Sequence, residues 1–213
     1  MDTQFRVRIS KQLSLMLRHK PQEFGVSLDR FGFAYLDEVL EALKERNPGV
    51  SLDDVREIVD DPSKQRFEIQ EGKIRARYGH SLALDLGKDP VEPPELLYFG
   101  TDLEGAGAIE HSGLEPDRRQ YVHLSLDLEV AAQIARRRSD TPVVLKVLAD
   151  KAYQAGVKFY ECGPVFLTER VSPEFLERMS EESVPEGLAP QDPTPQAPTS
   201  EASYGRKKRR SVR

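Results

Sequence analysis

An α+β chain in two unequal parts is what the sequence predicts, and three observations carry that reading. Apolar residues recur at helical spacing in the runs holding Ile9, Leu13, Met16 and Leu17, and then Leu36, Val39, Leu40 and Leu43. The stretch "RFEIQEGKIRARY" alternates apolar and polar residues about a Gln-Glu-Gly turn. Beyond the Pro-rich run "LALDLGKDPVEPPE", short β-branched and aromatic segments alternate with helical ones.

The first helix ends at Lys20-Pro21, because proline cannot continue it, and Asn47-Pro48-Gly49 closes the second. Ser51 opens a short third helix, with Asp54 placed three residues on as its capping partner. "RFEIQEGKIRARY" then reads as a hairpin. Three helices followed by a hairpin is a winged-helix order, expected over residues 1–84, with a linker at 85–94.

The second part, residues 95–180, starts with the strand "LLYFG". A helix capped by Thr101 with Glu104 in the capping box follows, and Gly113 ends it. Next come the strand "YVHLS", a helix around "EVAAQIARRR", the strands "PVVLKVLA" and "PVFLT", and a last helix "EFLERM" capped by Ser172-Pro173. From residue 181 to 213 the apolar periodicity stops, and a Pro-rich, disordered tail ending in "GRKKRRSVR" is expected.

Composition narrows the function classes. No apolar run approaches the roughly 18 residues of a membrane span, and "MDTQFRVRIS" has no secretory apolar stretch. The single cysteine, Cys162, excludes an internal disulfide framework, so a reducing, cytoplasmic setting is expected; the basic tail adds a nuclear or RNA-tethering role as an alternative. One cysteine with four scattered histidines gives no metal spacing, and no metal is expected. The net charge of −5 is unevenly spread. Nine acidic residues oppose three basic ones from Asp37 to Asp61, whereas Lys64, Arg66, Lys73, Arg75 and Arg77 outnumber Glu68 and Glu71 in the hairpin.

Arg18, His19 and Lys20 stack on one helix end, where cations gain about 0.3–1 kcal/mol from the helix dipole. That accounts for them without a ligand. A basic hairpin bringing Arg66 to the same helix end would instead hold an anion, since Arg grips phosphate bidentately. Other candidates have plain explanations: "GAG" at 105–107 is too short for a dinucleotide fingerprint, "ARRRS" suits a solvated helix face, and His123 alternates in a strand. Cys162 has no neighbouring His or Lys to activate it and reads as a buried, inert thiol.

Taken together, "LRHKP", "KQRFEI", "IRARYGHS", "LYFGT", "GLEPDRRQYVHLS", "PVVLKV" and "VFLT" occur in an order and spacing that resembles the RNA 2′-phosphotransferase (tRNA 2′-phosphotransferase) family, over residues 8–178. The resemblance implies an ADP-ribosyltransferase-like second lobe that binds NAD⁺ as co-substrate, facing the winged-helix lobe. It implies that an RNA 2′-phosphate attacks the nicotinamide ribose, and that a ribose hydroxyl then attacks phosphorus. The products would be 2′-OH RNA, nicotinamide and ADP-ribose 1″,2″-cyclic phosphate. It places the family's Arg-His-Arg-Arg group on Arg18, His19, Arg66 and Arg119, and NAD⁺ contacts on Phe99, Gly100, Thr101, His123, Leu124, Ser125 and Arg138. The implied partner is RNA bearing a 2′-phosphate, such as tRNA, with the protein acting as a monomer away from membranes.

Three departures fall in the NAD⁺ lobe: Phe99 where the family has His, "RRRSD" where it has Gly-x-Arg-His-Gly, and Gly163-Pro164 where it has Asn-Gly. They leave phosphate recognition untouched and put NAD⁺ geometry in question. Two alternatives follow: an ADP-ribosyltransferase that caps phosphorylated nucleic-acid ends, and a phosphate-RNA binding protein whose NAD⁺ lobe has decayed.

Overall fold

A computed structural model describes residues 2–62 and 64–180; the expected disordered tail, 181–213, lies outside the described residues. The amino-terminal half packs helices α1 (Thr3–Arg18), α2 (Leu36–Arg46) and α3 (Leu52–Val59) against a small antiparallel sheet. Asp2 caps α1 through the Phe5 N–H, and Ser51 with Asp54 forms the expected reciprocal capping box on α3. The hairpin is β2 (Phe67–Gln70) and β3 (Lys73–Ala76), with Glu71 and Gly72 both at positive φ in the tight turn. A third strand, β1 (Ala34–Tyr35), pairs with β3 and has no signature of its own in a two-residue run.

Ile9, Leu13, Met16 and Leu17 are fully buried with Val39, Leu43, Phe67 and Ile74 in one core, so the 3.6-residue stripe of α1 is the face that packs. Between Ala76 and Leu96 no regular element forms, and the run is tied down on both sides: Asp85 N–H donates to the Arg30 carbonyl, and Val91 N–H to that of Phe159.

The second half is a six-stranded antiparallel sheet. In sequence it runs β4 (Leu96–Asp102), α4 (Leu103–Ser112), β5 (Val122–Ser125), α5 (Leu128–Arg138), β6 (Pro142–Leu148), α6 (Ala149–Gln154), β7 (Tyr160–Cys162), β8 (Val165–Thr168) and β9 (Leu176–Arg178). Their spatial order is β7-β8-β5-β4-β6-β9, which puts β4 and β5 at the centre. Leu97, Leu124, Val147, Phe159 and Phe166 fill a core separate from that of the first half. Cys162 is buried, and burial pushes its thiol pKa up, as an inert thiol requires.

Two local readings are corrected. The cap of α4 is Asp102, whose carboxylate accepts from Gly105 N–H at 2.6 Å, while Thr101 stays in the strand and is buried. "EFLERM" is not a helix. Pro173–Phe175 makes one 3₁₀ turn, and Leu176–Arg178 pairs with β6. Phe175, Leu176 and Met179 mimic a helical stripe, but the open edge of β6 supplies hydrogen bonds that a short helix cannot match.

Candidate functional site

The site is built around the end of α1. Ser10, Ser14 and Arg18 are spaced four residues apart on one face, and all three are buried. Arg18 is 3% exposed. Its guanidinium carbon lies 5.6 Å from the Phe67 ring centre and 5.2 Å from that of Tyr78, so two aromatic faces hold the cation. Gly79, at φ +91°, lies against its stem, where a Cβ would come within 3.3 Å of Cδ and Nη1.

Among the described residues, Arg18 Nε and Nη2 are buried and have no hydrogen-bond partner. Burial lowers the Arg18 pKa to about 10; Tyr78 opposes the shift, and the charges of Arg119 and Arg66 add to it. A buried cation without a carboxylate is costly, and an anion brought by a ligand would remove that cost.

His19 follows Arg18, with Nδ1 3.0 Å from the Ser81 hydroxyl. Burial, then the charges of Arg18 and Arg119, lowers its pKa to about 4. Arg66, on the approach to β2, donates from Nη1 to the Ser10 hydroxyl at 3.4 Å, and its carbonyl accepts from Arg77 N–H. Its charge reaches Arg18. Arg119 comes from the irregular segment before β5 and is half-buried; burial and then Arg138 lower its pKa, against the pull of Tyr78. The hairpin and the sheet therefore bring Arg18, His19, Arg66 and Arg119 into one electrostatic neighbourhood. Three of them are guanidinium cations and the fourth, His19, is held neutral by burial and by the charges of Arg18 and Arg119, so the repulsion among the arginines favours an anion.

His123 in β5 joins them from the second half. Its ring meets Tyr78 edge-on at 6.2 Å between centres, and Nδ1 lies 2.9 Å from the Tyr121 carbonyl. A carbonyl can only accept, so Nδ1 carries the proton and Nε2 presents a lone pair. That Nε2 is buried without a partner among the described residues, and burial followed by Arg119 lowers the ring's pKa to about 3. His123 is therefore a neutral acceptor within reach of the charges of Arg119 and Arg18. A ligand with both anionic oxygens and hydroxyl donors, such as the pyrophosphate and ribose of a dinucleotide, fits this set.

The remaining expected contacts are placed unevenly. Arg138, at the exposed end of α5, is near enough for its charge to act on Arg119. Thr101 and Ser125 are buried in the central strands. Leu124 faces the core, and Phe99 packs against the same core. Gly100 has a structural reason to be glycine, because a Cβ there would run into the Ala131 carbonyl of α5.

Sequence reasoning passed over Tyr78, Gly79 and Ser81, which touch Arg18 or His19, and Gln120, which is bonded to the same segment at His80 and Leu84. The available signal was the aromatic-glycine pair directly after a basic strand in "IRARYGHS". His80 belongs there too: it is 8% exposed, and burial followed by Arg18 and His19 lowers its pKa to about 3. Among the described residues no group of three or more His, Cys, Asp or Glu could hold a metal ion. An open hollow of about 300 Å³ beside Phe67 is lined by Asp60, Asp61, Glu68 and Arg77 among others, so acidic groups outnumber basic ones there.

Comparison with known proteins identifies the family. A family model described as "RNA 2′-phosphotransferase, Tpt1 / KptA family" matches residues 4–170. A protein of Acetivibrio thermocellus named "Probable RNA 2′-phosphotransferase" is 42% identical over 155 residues, which is 72% of this chain and 85% of that one. A protein of the same name from Thermococcus kodakarensis is 41% identical over 170 residues, 79% of this chain and 94% of its own length. One from Pyrobaculum aerophilum is 39% identical over 180 residues, 84% of each chain. With the match spanning both cores and every residue of the cation cluster, the chain belongs to the RNA 2′-phosphotransferase family.

Proposed function

We propose that the protein is an NAD⁺-dependent RNA 2′-phosphotransferase, with a winged-helix lobe that holds the RNA phosphate and an ADP-ribosyltransferase-like lobe that holds NAD⁺. The observation that carries this reading is Arg18, a buried guanidinium with two unpartnered N–H groups and no carboxylate, beside His19, Arg66 and Arg119. A 2′-phosphate brings nearly two negative charges and oxygens that only accept, which is what such a cleft lacks. Three arginines cannot act as bases at neutral pH, so their part is to clamp and neutralise.

In the first step a 2′-phosphate oxygen bonds to the ribose carbon that carries nicotinamide. The carbon–nitrogen bond breaks, and its electron pair leaves with nicotinamide. In the second step the adjacent ribose hydroxyl bonds to phosphorus, and the bond from phosphorus to the RNA 2′-oxygen breaks. That oxygen takes up the proton. Charge builds on the phosphoryl oxygens during this transfer, where preorganised N–H donors act most strongly. His123 Nε2, held as a neutral acceptor, suits a ribose hydroxyl and orients it rather than deprotonating it, because a pKa of about 3 makes it a weak base.

The test incubates the protein with a 2′-phosphorylated oligoribonucleotide, with and without NAD⁺, and resolves the products. Nicotinamide, 2′-OH RNA and a cyclic phosphate of ADP-ribose should appear only when both are present. Phosphate loss without NAD⁺, or an RNA end capped with ADP-ribose, would overturn the proposal.

A further inference from the structure

One polar side chain beside the cluster makes contacts that the chemistry above does not use. Gln120 follows Arg119 directly and is half-buried. Its Nε2 donates to the Leu84 carbonyl at 2.7 Å, and its Oε1 accepts from Leu84 N–H at 3.0 Å. Its backbone N–H donates to the His80 carbonyl at 2.9 Å. Gln120 thus pairs with the 80–84 segment much as a strand would, with its side chain standing in for part of the ladder.

The same segment holds the residues from the first half. Ser81 N–H donates to the Arg18 carbonyl at 3.0 Å, the Ser81 hydroxyl meets His19 Nδ1 at 3.0 Å, and Gly79 lies on the Arg18 stem. One short stretch of chain is therefore bonded to Arg18 and His19 on one side and to the neighbour of Arg119 on the other.

We propose that Gln120 is a positioning residue that sets Arg119 in register with Arg18 and His19 through its paired hydrogen bonds to Leu84. This rests on the role given to Arg119 above. The pairing needs a carboxamide, since Leu84 offers one donor and one acceptor. Glutamate would keep the length but set an oxygen against the Leu84 carbonyl, and methionine would keep the length and lose both bonds. A misplacement of about 1 Å in a positioned group can cost about 10²-fold in rate.

The experiment is a double-mutant cycle on the full chain, read by single-turnover release of nicotinamide. Gln120→Met should slow release by about 10²-fold, and the same change in an Arg119→Ala background should cost nothing further. Equal losses in both backgrounds, or no loss in the first, would overturn the assignment. Gln120→Glu runs through the same cycle, with the same outcomes, if the methionine variant is poorly folded.

A second readout needs no turnover. The charge of Arg119 helps hold His19 at about 4. In an NMR titration, Gln120→Met should therefore raise the His19 midpoint toward that of Arg119→Ala, and an unchanged midpoint overturns the proposal. A wild type without NAD⁺-dependent turnover would refute the enzyme assignment instead, while the titration still decides the role of Gln120.

Discussion

At the residue scale, the division of labour between the two halves of the site is open to direct measurement. Arg18, His19 and Arg66 come from the half that we assign to the RNA phosphate, and Arg119 comes from the other. A clamp on phosphorus helps most when phosphorus reacts. Ala at Arg18, His19 or Arg66 should therefore slow the second step more than the first, by roughly 10²–10³-fold, so that RNA joined to ADP-ribose accumulates. Arg119→Ala should depress nicotinamide release at least as severely. A single-turnover time course separates the cases, and the reverse pattern would exchange the roles. Arg18, His19 and Arg66 were legible in the sequence because helix-end cations and a basic hairpin leave a charge pattern, whereas Arg119 came only with the resemblance to the family. Tyr78 was not, because a ring that touches Arg18 and His123 at once is a property of packing between segments 45 and more residues apart.

At the element scale, the close seat of α5 on β4 depends on one missing methyl group. Gly100→Ala would place a Cβ against the Ala131 carbonyl, and the obstacle is helix backbone rather than a movable side chain. Overpacking of this kind costs about 1–3 kcal/mol, and the loss should be visible in urea unfolding. Gly107→Ala is the matched control, since its Cβ meets open space on α4. Its expected gain is about 0.4–1 kcal/mol, from a less flexible unfolded chain. Most elements could be read from the sequence because their periodicity is local, as in α1 and the hairpin. The 176–178 strand could not, because the edge that recruits it lies about thirty residues earlier in β6. Nor could α6, whose six residues carry too little pattern to announce a helix.

At the scale of the whole molecule, three of the four histidines are held neutral by the fold. His19, His80 and His123 sit at about 4, 3 and 3, each lowered first by burial, against about 6.5 in an unfolded chain. Below pH 6.5 the unfolded chain binds more protons than the folded one, so stability rises with pH across this window and is lost as pH falls through it. Melting temperature should therefore be flat above pH 7 and fall steadily from pH 6.5 toward 4. An oxyanion bound among Arg18, His19 and Arg119 would raise the His19 pKa and recover part of the loss. The measurement is a pair of melting series, in chloride and in inorganic phosphate at matched ionic strength. Phosphate that fails to narrow the acid loss would argue against an anion seat at this cluster.

Strand β9 has a consequence for where the folded unit stops. The match to the family model ends at residue 170, yet Leu176–Arg178 still pairs with β6, Met179 N–H donates to the Val144 carbonyl, and Arg178 forks onto Glu110 at 2.7 and 2.8 Å. A chain cut after Arg170 would strip these contacts from "PVVLKVL", a β-rich run with one charge, and leave its hydrogen-bonding groups as a template for other copies. Such a fragment should self-associate in light scattering, whereas one cut after Ser180 should stay as dispersed as the full chain. The last three-residue strand is then a guard against aggregation, and a soluble fragment ending at Arg170 would refute that role.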